Sequence, residues 1–278
     1  NKLPAAIAVG NGFGKFAGYT QVEELGTLET VIALTNTLAV GPVMRGVVDL
    51  TLQNTPDMLP YETVNAVVGE TNDGLVNAIH QLNLTSQDVK IAYDARTADF
   101  ELGCVGAGTG TRAFSWKGGI GSASRKVGKY TVGTLVQTNF GGALTIMGVP
   151  VGVALGTTDF DNFRHKPDGS CVIVVATDAP LNASQLKRLA RRALLGMVRT
   201  GSIMADGSGD YAIAFSTSRT PGDITGNNLN PFFLAAVEAV EESIYDALFT
   251  AQTTTGRDGS ELKKLPIEQV VTMIRDRT

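Results

Sequence analysis

Two rhythms run along the chain. Some runs are apolar and β-branched at every position or at every second one, the mark of strands. Others repeat an apolar residue every three or four positions, the mark of amphipathic helices. Leu28–Leu34 belongs to the first kind and predicts a buried strand. Val40, Val43, Val47 and Leu50 follow at helical spacing. Thr85-Ser-Gln-Asp88 has the form of a capping box and predicts a short helix behind it. Thr131–Phe140 and Leu144–Leu155 are strand-like runs on either side of Gly141-Gly142, which predicts a tight hairpin. Cys171–Thr177 is continuously apolar and is closed by Asp178-Ala-Pro180, as expected of a strand buried on both faces.

The strongest helical signal comes next. Asn182 and Gln185 form a reciprocal cap, and Leu186, Leu189, Ala190, Ala193, Leu194, Met197 and Val198 make one apolar stripe. Lys187, Arg188, Arg191 and Arg192 fill the opposite, solvated side, and Gly201 is placed to end the helix. Tyr211–Ser216 predicts another strand. Asn230-Pro231 opens a second long helix, with Phe233, Val237, Val240, Ile244 and Leu248 turned inward. This order lacks the regular βαβ alternation of a doubly wound sheet and predicts an α/β fold with sheets inside and helices outside.

Composition narrows the function. With 43% hydrophobic and 18% charged residues over 278 positions, the chain can build a large core and is too apolar to be disordered. A net charge of −4 with no long basic tract excludes nucleic acid as the expected partner. No apolar run reaches the ~18 residues of a membrane span, so no membrane partner is expected either. Cys104 and Cys171 are the only cysteines and read as reduced thiols, which favours a cytoplasmic over a periplasmic setting. His80 and His165 are the only histidines, leaving little material for a zinc site or a histidine relay.

That shortage directs attention to Lys166-Pro-Asp-Gly-Ser170, where a polar turn runs into a buried apolar strand. An ordinary loop entering a strand is one reading. The other is chemical. Gly169 has no Cβ, so its carbonyl can be approached closely and its backbone strained. The Ser170 hydroxyl could attack that carbonyl, convert the amide to an ester, and let water finish the cut. The new chain would begin at Ser170 with a free α-amine. Such an amine has a pKa of about 7.7–8.0, against about 10.4 for lysine, and can serve as general base near neutrality. His165, close in sequence, offers a Ser–His alternative with no third partner specified.

Collinear stretches then resemble one family over nearly the whole chain: Gly10-Asn-Gly12, Ala33-Leu-Thr-Asn36 with Val40-Gly41, Glu70-Thr71 with Asp73-Gly74, and Lys117-Gly-Gly-Ile-Gly-Ser-Ala-Ser-Arg125. They continue with Asn139-Phe-Gly141, Gly169-Ser170 leading into Val174–Pro180, Gly207-Ser-Gly-Asp210, and Thr255-Gly-Arg-Asp-Gly259. The chain is similar to the self-processing serine aminopeptidases that include the L-aminopeptidase D-amidase/esterase and the β-peptidyl aminopeptidases. The resemblance implies a four-layer αββα sandwich, shared with ornithine acetyltransferases, over a single domain 1–278. It implies cleavage between Gly169 and Ser170 into 1–169 and 170–278, pieces that stay together and assemble as a homotetramer of cleaved pairs. It also implies hydrolysis of N-terminal residues from peptides, amides or esters without metal or cofactor. A few tens of residues of the family pattern are expected before Asn1.

The resemblance implies roles as well. Asn139 matches the oxyanion-hole asparagine, although a turn-capping asparagine would look the same. Ser208 and Asp210 match a serine and a carboxylate supporting the nucleophile, with aspartate where the β-peptidyl members carry glutamate; a glycine-rich turn is the alternative. Glu70 is the candidate to hold the substrate ammonium, or else a surface or helix-start carboxylate. Asn72 replaces an aromatic pocket residue, which implies a more polar acyl pocket. Gly106–Gly110 and Gly118–Gly121 lack the strand-and-helix context of nucleotide loops and read as backbone packing near the cleavage centre. Two further readings stay open: an acyltransferase of the ornithine acetyltransferase type, which Ser170 in place of threonine disfavours, and an uncut relative serving as a binding or structural protein.

Overall fold

The side-to-side alternation of four long strands decides the architecture. In the computed structural model, residues 2–158, 168–220, 222 and 224–276 are described. The chain opens with strand β1 (Leu3–Gly12), β2 (Phe16–Ala17), helix α1 (Tyr19–Leu25), β3 (Thr27–Leu28), β4 (Ile32–Asn36), α2 (Val40–Gln53), β5 (Val67–Thr71) and α3 (Ser86–Asp94). Its middle holds β6 (Arg112–Ala113), β7 (Trp116–Lys117), β8 (Ile120–Val127), β9 (Tyr130–Asn139), the short α4 (Val151–Ala154) and β10 (Asp168–Thr177). It closes with α5 (Ala183–Arg199), β11 (Gly207–Ser216), α6 (Asn230–Thr250), β12 (Thr254–Thr255), β13 (Glu261–Leu262) and α7 (Ile267–Arg275).

A six-stranded sheet runs in the order β3-β1-β11-β10-β9-β8, and a smaller one in the order β2-β5-β4. Because successive strand residues face opposite sides, each buried strand feeds two cores. Cys171, Ile173 and Val175 of β10, with Ala212 and Ala214 of β11, pack under α5 and α6. Val172 of β10 and Tyr211 and Ile213 of β11 pack instead against Val67 of β5 and Phe16 of β2. Val68, the next residue on β5, turns the other way, onto Val43 and Val47 of α2 and Val89 of α3. The layers are therefore helix, sheet, sheet, helix, the sandwich that the family resemblance implies. Gln137 joins the two sheets, its Nε2 donating to the Thr35 carbonyl (3.0 Å) and to Thr71 Oγ1 (2.8 Å).

Several expected elements form as read. Helix α2 carries the Val40–Leu50 stripe, and α3 is capped by Thr85, whose N–H donates to Asp88 Oδ2 at 2.7 Å. The N-cap of α5 is reciprocal, with Gln185 N–H to Asn182 Oδ1 at 3.0 Å and Asn182 N–H to Gln185 Oε1 at 2.9 Å. Its basic face is solvated: Lys187 pairs with Glu23, and Arg188 and Arg192 lie over the Phe233 ring. Val198, expected in the buried stripe, is exposed.

Two expectations are overturned. Leu28–Leu34 is not one strand: β3 ends at Leu28 and β4 begins at Ile32, in different sheets. The hairpin around Gly141-Gly142 does not form either. Strand β9 pairs with β8 through a turn at Gly128 (φ 58°), and with β10 on its other side. Past Asn139 the chain turns away at Gly142 (φ 143°), and the Ala143 and Thr145 N–H groups bond the carbonyls of Gly201 and Thr200. Leu144, Ile146, Val149 and Val151 are apolar because they plug the helical core, not because they are sheet. Strand β8 carries no clean strand signal because Ser122, Ser124 and Arg125 interrupt its apolar character at the sheet edge.

The glycine stretches act as close-packing points. A Cβ on Gly121 of β8 would collide with the Ser243 carbonyl of α6, whereas one on Gly133 of β9 would meet nothing nearer than the Ala176 carbonyl at 4.0 Å. Gly121→Ala is expected to cost about 3 kcal/mol or more, the upper end for overpacking. Gly133→Ala is expected to stay within about 1 kcal/mol of wild type. Urea midpoints of the two variants check this; equal values would contradict the packing assigned to Gly121.

Candidate active site

Ser170 enters the site through its register. In the antiparallel ladder with β9 it faces Asn139, and in the parallel ladder with β11 it faces Gly209. It is buried, and its hydroxyl donates to the Gly169 carbonyl oxygen at 2.5 Å. The hydroxyl therefore lies against the bond that the sequence singles out. His165, Lys166 and Pro167 fall outside the described residues. The other histidine, His80, is exposed on a single helical turn at Ile79–Gln81, away from these strands.

Strand alternation sorts the neighbours of Ser170 to its two sides. Asn139 shares the side that faces the small sheet. Its Oδ1 accepts the Arg112 N–H at 3.1 Å and its Nδ2 donates to the Asn72 carbonyl at 3.0 Å. The amide is thus fixed in orientation, and one of its two N–H bonds remains for another acceptor. Asn72 is exposed, with Oδ1 taken by the Gly74 N–H at 3.0 Å.

Ser208 and Asp210 lie on the opposite side. They share a face of β11 as their spacing predicts, and Ser208 Oγ donates to Asp210 Oδ1 at 2.8 Å. A Cβ on Gly169 would come 3.0 Å from Ser208 Oγ. The pair therefore sits behind the Gly169–Ser170 peptide, on the face opposite the hydroxyl. Asp210 is fully buried, and its Oδ2 has no hydrogen-bond partner among the described residues. Burial pushes its carboxyl up to about 6, while the Ser208 hydroxyl and the Cys171 backbone pull it down. Next to it, burial also drives the Cys171 thiol upward, which keeps it protonated and inert.

Glu70 is not a surface carboxylate; it is 2% exposed at the end of β5. Its Oε1 accepts the Lys15 N–H at 2.8 Å, and its Oε2 accepts the Thr37 hydroxyl. Oε1 lies beside Gly14, which in turn touches Gly209, the ladder neighbour of Ser170. The structure thus brings Ser170, Gly169, Asn139, Ser208, Asp210, Glu70 and Asn72 into one neighbourhood.

Sequence reasoning missed two contributors. The end of β1 and the loop 13–15 tie β11 to Glu70, with Asn11 Nδ2 donating to the Ala205 carbonyl (2.9 Å) and the Ser208 carbonyl (2.6 Å). Lys117 is fully buried, its ammonium donating to the carbonyls of Gly108 and Gly118 at 2.8 Å each. Burial pushes that ammonium down, and Cys104 and Asp73 hold it up. Its signal was a lysine inside an uncharged, glycine-rich run. A cavity of about 1060 Å³ lies elsewhere, along edge strand β4 against α2 and α3, and touches none of the seven predicted site residues.

With the geometry in view, known proteins sharpen the picture. Residues 1–262 match the model of peptidase family S58. The β-peptidyl aminopeptidase BapA of Sphingosinicella xenopeptidilytica is 36% identical, over 99% of this chain and 76% of its own. The PH0078 protein of Pyrococcus horikoshii OT3 superposes with a TM-score of 0.89 at 42% identity, covering 99% of this chain and 81% of that one. The L-aminopeptidase D-Ala-esterase/amidase of Ochrobactrum anthropi, described as a prototype for the serine aminopeptidases and a variant of the Ntn hydrolase fold, superposes with a TM-score of 0.88. It is 32% identical, again over 99% of this chain and 81% of that one.

The Asp210 environment makes a prediction with a definite sign. A carboxyl raised from 3.8 to about 6 favours the folded state fully below 3.8 and loses that contribution as pH rises through 6. In an uncut Ser170→Ala background, Asp210→Asn should leave stability unchanged at pH 4. At pH 8 it should raise it by about 2–3 kcal/mol. Thermal melts at both pH values test this; a destabilised Asp210→Asn protein at pH 8 would contradict the buried, unpartnered charge.

Proposed function

This chain belongs to peptidase family S58, and we propose that it cuts itself between Gly169 and Ser170 and then uses Ser170 as its nucleophile. It is a serine-type aminopeptidase of the N-terminal-nucleophile class. The observation that carries the proposal is the Ser170 hydroxyl resting on the Gly169 carbonyl, with Asn139 opposite and Ser208–Asp210 behind.

In the first step Ser170 Oγ attacks the Gly169 carbonyl carbon, the C–N bond breaks, and the nitrogen takes a proton to become an amine. Water then hydrolyses the ester, leaving a carboxylate on Gly169 and a free hydroxyl on Ser170. In turnover the α-amine takes the proton from Oγ as Oγ attacks the substrate's N-terminal carbonyl, and passes it to the departing amine. Water releases the acyl group by the reverse use of the same base. The free N–H of Asn139 meets the oxyanion, a contact worth about 2.7–4 kcal/mol in such sites. Asp210, with Ser208 holding one oxygen, stabilises the protonated amine from behind. Glu70 holds the substrate ammonium.

The pieces 1–169 and 170–278 remain together because β1, β8, β9 and the first two residues of β10 come from the first and the rest of β10 and β11 from the second, interleaved in one sheet. Assembly into a tetramer of such pairs is part of this proposal. Cys104 and Cys171 are free thiols, which supports a reducing, cytoplasmic setting.

Intact-mass spectrometry should find two pieces split at Gly169/Ser170, while Ser170→Ala remains one chain; a whole wild-type chain overturns the proposal. Asn139→Ala should fold, yet process and hydrolyse aminoacyl p-nitroanilides about 100-fold more slowly or worse. Wild-type rates in that variant would remove Asn139 from the site.

A further inference from the structure

The carboxylate assigned to the substrate ammonium already has another ammonium beside it. This inference rests on that assignment of Glu70. Lys15 gives its backbone N–H to Glu70 Oε1 and carries its Nζ 4.0 Å from the same oxygen. The two side chains differ sharply in exposure, 58% for Lys15 and 2% for Glu70. Glu70 thus lies at the bottom of the site and the lysine at its rim.

The loop that presents Lys15 is fixed on both flanks. Phe13 N–H bonds the Ser208 carbonyl at 3.3 Å, and the Tyr211 hydroxyl donates to the Gly14 carbonyl at 2.8 Å. A Cβ on Gly14 would come 3.0 Å from Glu70 Oε1 and 3.3 Å from the Gly209 Cα. The backbone is wedged between β11 and β5, so the origin of the Lys15 side chain does not wander even though its tip is solvated.

A cation held there acts on substrates by sign. An ammonium docking on Glu70 is repelled by Lys15, and the repulsion is the same for every N-terminal residue. A residue that also carries a carboxylate a few ångströms from its ammonium turns the neighbour into a partner, and the charges then alternate from Glu70 outward. The surroundings suit this. Asn72, two residues along from Glu70, is exposed, and with its Oδ1 occupied by Gly74 it offers Nδ2 as a further donor. We propose that Lys15 is a specificity-determining residue, and that the enzyme prefers N-terminal residues bearing a side-chain carboxylate, of the aspartyl or glutamyl kind, over neutral ones of the same shape.

Aspartyl and asparaginyl p-nitroanilides are nearly isosteric and differ in this charge. The wild type should show the higher kcat/KM on the aspartyl substrate. Lys15→Met keeps the backbone bond to Glu70 and should shift the ratio about fivefold toward asparagine, the scale of an exposed charge pair, mainly through KM. Lys15→Arg should retain the preference. Glu70→Gln should raise KM for both substrates alike. An unchanged ratio in Lys15→Met, with KM raised in Glu70→Gln, overturns this inference and leaves the role of Glu70 standing. If Glu70→Gln alters neither KM, the assignment of Glu70 falls and this inference with it.

Discussion

Everything at the site depends on the register of three strands. Ser170 lies opposite Asn139 and beside Gly209 because β10 is hydrogen-bonded to β9 and β11 over eight and ten positions. A slip of one residue on either side would turn every side chain to the wrong face. The apolar residues of β10 prevent it, since Cys171 and Ile173 must meet the helical core while Val172 meets the small sheet. Hydrophobic burial thereby positions a polar constellation with no side chain in common with it.

That constellation is electrostatically demanding. Glu70, Asp73 and Asp210 are all buried carboxylates, and one oxygen each of Asp73 and Asp210 has no hydrogen-bond partner. Desolvation raises both of those acids. Lys117 is the counterweight on the Asp73 side. By donating to the carbonyls of Gly108 and Gly118 it secures the turn before Arg112, whose N–H orients Asn139. Charge-assisted bonds of this kind are stronger than neutral ones, which suits a lysine to a loop too rich in glycine to hold itself. Around Asp210 no such cation is present among the described residues, and the site keeps a carboxyl that the fold alone would do better without.

Much of this was readable in the sequence, where local rules and tertiary packing agree. Helices α2, α5 and α6 carry apolar stripes that their packing uses, α5 adds a reciprocal cap and α6 an opening proline, and the Cys171–Thr177 run could only be a central strand. The errors arose where apolarity has a cause other than sheet. Leu144–Val151 is hydrophobic because it fills space beneath helices, and β8 is polar in patches because it lies at an edge. Ser208 and Asp210 were legible as a pair because a spacing of two is a fixed geometry in a strand. The side of the peptide on which they stand was not, since it depends on the pairing of β10 with β11. Lys15 is silent because a single lysine has no periodicity to announce whether it is buried, solvated or poised beside an acid, and only the glycine-rich run around Lys117 hints at its burial.

The ladder between β10 and β11 begins at Asp168 and Gly169, upstream of the scissile bond. Under the proposed cleavage the severed end would therefore not be set free by its own release: it would keep two rungs of pairing, with its new carboxylate beside the Ser170 hydroxyl, where an incoming acyl group must fit. On this reading the first molecule the enzyme must expel is part of itself. How readily those two residues peel away from Gly207 and Ser208 would govern the lag between a chain that has been cut and one that can turn over.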